Sequence, residues 1–134
     1  MTTPRPSAEP CPCNPALKYA DCCGKLHGGE PAGDAEALMR SRYSAYALGN
    51  IGYLLATWHP NTRPATLELD QTPGARVRWL GLRVLEHHRD DADHARVRFV
   101  ARYKVGGQSA QRMQESSRFA RDGGHWFYVD GDVD

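Results

Sequence analysis

The chain has 134 residues, with 17 lysines and arginines against 16 aspartates and glutamates, and therefore a formal net charge of +1. This length suits one domain with its own core, and the balanced charge argues against a strongly basic nucleic-acid-binding protein. No apolar run approaches the roughly 20 residues that a membrane-spanning helix needs. Residues 1–10 are polar and proline-rich, unlike a signal segment, so we expect a soluble, cytoplasmic protein with reduced thiols.

The cysteines give the strongest signal in the chain. All four lie in one short segment near the start of the chain, at Cys11, Cys13, Cys22 and Cys23. Two thiolate pairs brought together by a turn are a common tetrahedral ligand set for Zn²⁺, and Asn14 and Pro15 form a turn signal between them. The spacing predicts a structural zinc knuckle, closed by four protein ligands and therefore without a catalytic zinc.

Two other interpretations of the cysteines stay open. They could form disulfides of a secreted domain, although such disulfides would leave most of the chain without a covalent cross-link. They could also be ordinary reduced cysteines with no ligand. Within the metal interpretation, His27 is a substitute ligand if the adjacent Cys22 and Cys23 cannot both reach one ion.

Local composition predicts the domain organisation and two helices. It divides the chain into a disordered leader at 1–10, the knuckle at 11–27, a linker at 28–33 and a main domain at 34–134.

Asp34 and Gly49 are good N-cap and C-cap residues for a first helix. Asn50 caps a second helix, which His59 and Pro60 end. Each helix has an apolar face: Ala35, Leu38, Met39, Tyr43 and Tyr46, then Ile51, Leu54, Leu55 and Trp58.

After these helices the hydrophobic period changes to two. Residues 61–76 mix turn and strand signals and stay unassigned. A strand is predicted at 77–88 with a bulge at Gly81, and the clearest strand follows at 95–105. Glycine pairs then turn the chain into two further strands, at 110–122 and 125–130. Two helices followed by an antiparallel meander predict an α+β fold, with the helices packed on the apolar face of a twisted sheet.

The clearest strand also carries a basic stripe. Apolar residues alternate along it with Arg96, Arg98, Arg102 and Lys104, so one face of the sheet is apolar and the other basic. Such a stripe could contact phosphates. We interpret it instead as a solvated face that is balanced by acidic neighbours such as Glu86 and Asp90.

One carboxylate falls on the apolar side of the sheet. Glu115 and Ser117 share the parity of Phe119, so they face the core if that ring does, and a buried carboxylate is costly unless paired. Glu115 is then either a general acid or base in a small-molecule pocket or, as we prefer, half of a structural ion pair with Arg40 or Arg42. The pocket would be lined by Arg42, Tyr43, Tyr46, Glu115, Ser117, Trp126 and Tyr128.

These motifs resemble known families. Residues 11–24 resemble the SEC-C motif, a small zinc-binding segment also found at the C-terminal end of the translocation ATPase SecA, with Asn14, Pro15 and Ala16 where that motif has Gly-Ser-Gly. Nearly the whole chain resembles the bacterial YchJ family of uncharacterised proteins, through residues 36–46, 53–63, 79–82, 115–119 and 126–131. The resemblance implies a cone-shaped fold like that of nuclear transport factor 2. In that fold the curved sheet wraps around the helices and leaves a pocket.

Three hypotheses for the function follow. In the first, which we adopt, the zinc knuckle is a binding module for a protein or RNA partner, and its similarity to SEC-C segments points by analogy to translation or secretion. In the second, the pocket around Glu115 binds or converts a small molecule. In the third, zinc has only a structural role and the exposed surfaces mediate self-association.

Overall fold

The computed structural model describes residues 9–69 and 76–133. Most of the predicted leader, residues 1–8, lies outside this part, as do residues 70–75 of the unassigned segment and residue 134. The elements in chain order are β1 (Pro10–Cys11), β2 (Asn14–Lys18), a 3₁₀ turn (Tyr19–Asp21), α1 (Cys23–His27), α2 (Ala35–Leu48), α3 (Ile51–Ala56), β3 (Val77–Asp91), β4 (His94–Val105), β5 (Gln111–Asp122) and β6 (His125–Val133). No described helix is long and apolar enough to cross a membrane.

The four long strands form one antiparallel meander in the order β3-β4-β5-β6. This confirms the predicted α+β class. The bulge expected at Gly81 is present, since the pairing passes from Trp79 opposite Tyr103 to Gly81 opposite Arg102 and leaves Leu80 as the extra residue. Further register shifts interrupt β3 and the β5–β6 pair. Bulges increase the local bend and twist of strands.

The caps of the two longer helices form as predicted. The Asp34 carboxylate accepts a hydrogen bond from the Ala37 amide at 2.8 Å, and Gly49 ends α2 with a φ of 73°. The side chain of Asn50 caps α3 in the same way as Asp34 caps α2.

The predicted end of the second helix is wrong. Helix α3 ends at Ala56 rather than reaching His59, and Trp58 leaves the helical face to form a parallel bridge with Tyr128 of β6. The reason is a pair of backbone hydrogen bonds, from the Tyr128 amide to the Thr57 carbonyl at 2.8 Å and from the His59 amide to the Tyr128 carbonyl at 2.7 Å. Pairing with the sheet therefore replaces the last turn of the helix.

Helix α2 forms the centre of the core. Its Leu38, Met39 and Tyr43 are buried against the inner face of the sheet, which contributes the buried residues Ala95, Val97, Phe99, Ala101 and Phe119. The expected alternation along β4 holds with one exception: Val100, on the otherwise basic outer face, is only 6% exposed.

The cysteine knuckle packs on the other side of α2. Cys11, Cys13 and Cys23 belong to the same buried cluster as the apolar residues of α2 and the sheet. Ser41 and Ser44 of α2, which point away from the predicted apolar face, are fully buried as a result. The glycine-rich linker at 28–33 thus joins two parts that are in contact.

His27 connects the knuckle to α2. Its Nε2 atom donates to the Ser41 carbonyl at 2.8 Å, its Nδ1 atom accepts from the Tyr19 hydroxyl at 2.6 Å, and its ring lies 4.5 Å from that of Tyr53. Because a carbonyl can only accept, the proton of the neutral ring resides on Nε2. Both ring nitrogens are therefore occupied by hydrogen bonds inside the protein.

We predict that His27→Ala lowers the free energy of unfolding by about 2 kcal/mol, because two hydrogen bonds are lost and their partners become unsatisfied. Denaturant unfolding at a fixed metal concentration measures the change. Lys25→Ala, at an exposed position of the same short helix, is the matched control and should change stability by no more than about 0.5 kcal/mol. Equal losses in the two variants would show that His27 does not hold the knuckle in place.

Candidate metal centre and cavity

The four cysteines form one compact cluster of sulfur atoms. All four Sγ atoms lie within 4.8 Å of one another, and every cysteine is free of disulfides. The Sγ of Cys13 lies 3.6 Å from that of Cys11, 3.5 Å from that of Cys22 and 3.6 Å from that of Cys23. A tetrahedral ion with sulfur ligands at about 2.3 Å requires ligand separations of about 3.8 Å. The cluster can therefore hold one metal ion of that geometry.

Local backbone turns bring the two pairs together. Cys11 ends β1 and Cys13 lies in the tight turn before β2. The turn is supported by Asn14, whose side-chain oxygen accepts from the Ala16 amide at 3.0 Å. Cys22 is the N-cap of α1 and Cys23 its first residue, so the change of backbone direction at the helix start aims both adjacent thiols at the same point.

Gly24 lets α1 approach the rest of the knuckle. A Cβ atom at this position would lie 2.6 Å from the backbone oxygen of Tyr19, which is too close for any other residue. This contact holds the second cysteine pair against the 3₁₀ turn.

The electrostatics of the cluster favour a cation. Hydrogen bonding with Cys13 and with Cys23 lowers the pKa of the Cys11 thiol far below its ordinary value. Hydrogen bonding to Cys11 raises the pKa of Cys13 to about 12, and hydrogen bonds to Cys11 and Cys13 raise that of Cys23 well above its usual range. One thiolate therefore suppresses ionisation of its neighbours. A bound cation reverses this, because it stabilises every thiolate that it contacts.

The structure brings together the four predicted cysteine ligands but not the predicted substitute. Cys22 and Cys23 both reach the cluster, which removes the condition under which His27 was expected to act. The imidazole of His27 is engaged with Tyr19 and Ser41 instead. The sequence offered His27 only as a substitute, in case Cys22 and Cys23 could not both reach one ion. Its actual partner, the Ser41 carbonyl 14 residues away on α2, is visible only in the fold.

A second feature is a cavity of about 260 Å³ between α2 and the inner face of the sheet. Six of the seven predicted pocket residues line it: Arg42, Tyr43, Tyr46, Glu115, Ser117 and Tyr128. The remaining wall is apolar and includes Met39, Trp79, Phe99, Ala101, Met113 and Phe119. The alternation of apolar and polar residues along the strands predicts that most of these residues face the core. Trp79 also faces inward, because it lies before the first bulge of β3.

Trp126 does not line this cavity, which corrects the prediction. In the β5–β6 register Tyr128 lies opposite Phe119, but Trp126 lies opposite Arg121, farther along the sheet. There the guanidinium groups of Arg89 and Arg121 lie 5.6 and 5.7 Å from its ring centroid. Trp126 and Tyr128 have the same parity along β6, but parity does not say how far along a strand a pocket extends.

The polar end of the cavity places Glu115 beside Ser117, as the pocket interpretation expected, but among the described residues Glu115 forms no ion pair with Arg40 or Arg42. The Oε2 atom of Glu115 accepts a hydrogen bond from the Ser117 hydroxyl at 2.6 Å. Arg40 pairs with Glu36 of its own helix at 3.0 Å. Arg42 donates to the Leu54 carbonyl and the Thr57 hydroxyl.

Arg42 is a buried cation in the cavity wall. Its guanidinium carbon lies 4.5 Å from the ring centroid of Tyr128 and 5.1 Å from that of Trp58. Burial lowers the pKa of Arg42, and the charge of Glu115 is among the groups that oppose this shift. Burial also raises the pKa of Tyr128 to about 12, so its hydroxyl stays protonated. The cavity thus combines an apolar wall with one carboxylate, one cation and neutral phenols.

Comparison with known proteins places this architecture in a family. A family model described as the YchJ middle NTF2-like domain matches residues 34–131. A UPF0225 protein from Xanthomonas campestris pv. campestris (strain 8004) is 56% identical over 128 residues, which cover 96% of this chain and 98% of the relative. A UPF0225 protein from Bordetella parapertussis is 48% identical over 136 residues, covering 99% of each.

Two solved structures share the fold. One is the solution structure of a SEC-C motif containing protein from Rhodopseudomonas palustris, with a TM-score of 0.78, 33% identity, and coverage of 92% of this chain and 97% of that one. The other is the crystal structure of a SEC-C motif containing protein from Psychrobacter arcticus, with a TM-score of 0.74, 31% identity, and coverage of 92% and 82%. Both resemblances seen in the sequence are confirmed, and the chain belongs to the YchJ family.

Proposed function

We propose that this protein binds one structural Zn²⁺ through Cys11, Cys13, Cys22 and Cys23, and that the zinc-ordered knuckle is a contact surface for a protein or RNA partner. The observation that carries the proposal is the clustering of four sulfur atoms within 4.8 Å. Four soft thiolate donors in tetrahedral arrangement suit zinc better than the harder divalent cations. A cytoplasmic location, where thiols stay reduced and available to a metal, is part of this proposal.

The proposed ion is structural because the ligand set is closed. Four thiolates leave no open coordination position for a substrate, and three of the four cysteines are at most 3% exposed. The Cys11 sulfur lies 3.6 Å from the Ser44 hydroxyl of α2, so the ion would also fix the knuckle against the main domain. Zinc at this position contributes to folding of both parts rather than to an independent arm.

The surface that remains for a partner is the outer side of the knuckle. Pro15, Ala16, Leu17 and Lys18 of β2 are all exposed, and Leu17 is 48% exposed although it is a large apolar residue. A strand that a bound metal already holds rigid loses little conformational entropy when a partner binds. This favours an interaction role for the knuckle, and the SEC-C motif in the two solved relatives supports the analogy with other SEC-C segments.

The cavity supports a second candidate function, binding of a small molecule. Its apolar wall and few convergent polar groups are typical of ligand sites, although 260 Å³ limits the occupant to a small compound. The Glu115 carboxylate, oriented by Ser117 at 2.6 Å, would accept a hydrogen bond from a donor group of that compound. Proton transfer by Glu115 is a further step that this geometry allows.

We predict that protein purified without added metal contains about one zinc per chain by mass spectrometry. Cys22→Ser should lower the zinc content to well below half, because serine is a far weaker ligand than thiolate. His27→Ala should retain the metal and serves as the matched control. Full occupancy in Cys22→Ser, or loss in His27→Ala, would contradict the four-cysteine assignment.

Chelation tests the role of the ion in folding. We expect removal of zinc to broaden the NMR signals of the knuckle and also those of α2 around Ser41 and Ser44, since both are packed beneath it. Changes confined to residues 9–27 would contradict the proposal that zinc also supports α2.

We predict that Leu17→Asp reduces recovery of a co-purifying protein or RNA at least about fivefold in affinity pulldowns, because a charge replaces an exposed apolar anchor. Zinc content should not change. Val133→Asp, at a residue that is 62% exposed on β6, is the matched control and should recover the partner normally. Nuclease treatment separates RNA from protein, and equal recovery with both variants would refute a binding role for β2.

We predict that Glu115→Gln weakens binding of any small molecule found in a thermal-shift screen by about tenfold, since a charge-assisted hydrogen bond becomes a neutral one. Titration calorimetry measures the affinity. Glu86→Gln, on the outer face of the sheet, is the control with the same chemical change. Unchanged affinity in Glu115→Gln would exclude this carboxylate from ligand binding.

A further inference from the structure

The register of the sheet gives the two halves of the basic stripe on β4 different cross-strand neighbours. At the end nearer the β3–β4 turn, Arg96 pairs with Asp90 at 2.9 Å, and Arg118, which lies opposite Arg96, pairs with Asp130 and Asp132. Arg98 lies opposite Glu86. Each guanidinium at this end therefore has a carboxylate beside it, as expected for a solvated sheet face.

The other half of the stripe also has like charges opposite one another, as Arg96 and Arg118 are, but here no carboxylates of the described residues offset them. Arg102 lies directly opposite Arg112 of β5, and Lys104 directly opposite Arg78 of β3. Among the described residues, no carboxylate forms an ion pair with any of these four or with nearby Arg83. Like charges in direct cross-strand register destabilise a sheet, so folding alone gives no reason for this arrangement.

The same region contains a shallow apolar hollow. A depression of about 390 Å³ has Gly81, Leu85 and Val100 in its floor and the side chains of Arg83, Arg102 and Arg112 around it. We call these six residues the arginine groove. Leu85 is 42% exposed, and it is the extra residue of a second bulge, between Val84 and Glu86.

Gly81 keeps the floor of the groove open. It lies opposite Arg102 on the outer face, its φ is not positive, and a Cβ built on it would meet nothing within 4 Å. Neither backbone strain nor crowding therefore demands glycine here. Gly81 belongs to the first bulge of β3, and a glycine inside a strand also often marks a place where a ligand or another backbone approaches closely.

We propose that the arginine groove binds an acidic segment of a partner protein, in which an apolar side chain fills the floor and flanking carboxylates pair with the three arginines. Guanidinium groups match carboxylates in bidentate geometry. The aliphatic floor provides a contact for an apolar side chain, whereas binding of single-stranded nucleic acid normally uses exposed aromatic rings for base stacking. This surface lies on the outer face of the sheet, separate from the knuckle.

Binding at the groove is weak and sensitive to salt. The arginines are exposed, and exposed ion pairs each contribute little, so the affinity is expected in the micromolar range or weaker. Raising the salt from about 0.05 M to about 0.5 M shortens the screening length severalfold and should weaken binding about tenfold.

The test uses the full-length protein and a fluorescein-labelled peptide in which leucines alternate with glutamates, followed by fluorescence polarisation. Arg102→Gln with Arg112→Gln should weaken binding about tenfold. Arg96→Gln with Arg98→Gln removes the same charge from the other half of the stripe and should weaken it less than about twofold. Arg98 and Arg102 are about 13 Å apart along the strand, beyond the screening length of about 8 Å at physiological salt.

Gly81→Val tests the floor without changing any charge. A β-branched side chain suits a strand and fits the open space, so the variant should fold and yet weaken peptide binding about fivefold. Circular dichroism and thermal unfolding verify the fold of each variant.

The proposal is overturned if the peptide does not bind, if the two double variants lose affinity equally, or if Gly81→Val binds normally. It is also overturned if a peptide with glutamine in place of glutamate binds equally well. Tighter binding of an unstructured RNA oligonucleotide or of anionic lipid vesicles than of the peptide, lost in the same variants, would assign the groove to phosphate instead.

Discussion

The burial of α2 on two sides is the constraint on which the rest of the structure depends. One side of this helix meets the inner face of the sheet, and the other is covered by the knuckle. A helix enclosed in this way must satisfy its polar groups inside the protein. Ser41 does so through the Leu38 carbonyl and the Tyr53 hydroxyl, and Arg42 through α3 and two aromatic rings.

This constraint links the metal centre to the cavity. Cys11 contacts Ser44 on one side of α2, while Arg42 and Tyr43, two and one residues before it, line the cavity on the other side. The position of α2 is therefore set by the knuckle and in turn sets the shape of the cavity. Among the described elements, the knuckle and Tyr53 of α3 cover this side of α2, which gives a physical reason for a metal-bound segment in the fold.

The sheet carries two different chemical surfaces. Its inner face provides most of the cavity wall, and its outer face carries the arginines. Bulges in β3 control both, because each extra residue changes which side chains the following positions present. The first bulge leaves Trp79 in the cavity and turns Gly81 to the outer face, and the second exposes Leu85 beside the arginines.

The amino-acid sequence by itself determined the features that depend on near neighbours: the grouping of four cysteines, the helix caps at Asp34, Gly49 and Asn50, and the period-two pattern that placed Glu115 with Ser117. These follow from local backbone geometry and side-chain parity. Only the tertiary structure decided what depends on distant pairing, namely the attachment of His27 to α2, the early end of α3, the exclusion of Trp126 from the cavity and the division of the arginine stripe. The register between strands and the surface that covers α2 arise from contacts between residues far apart in the chain, which no local pattern encodes.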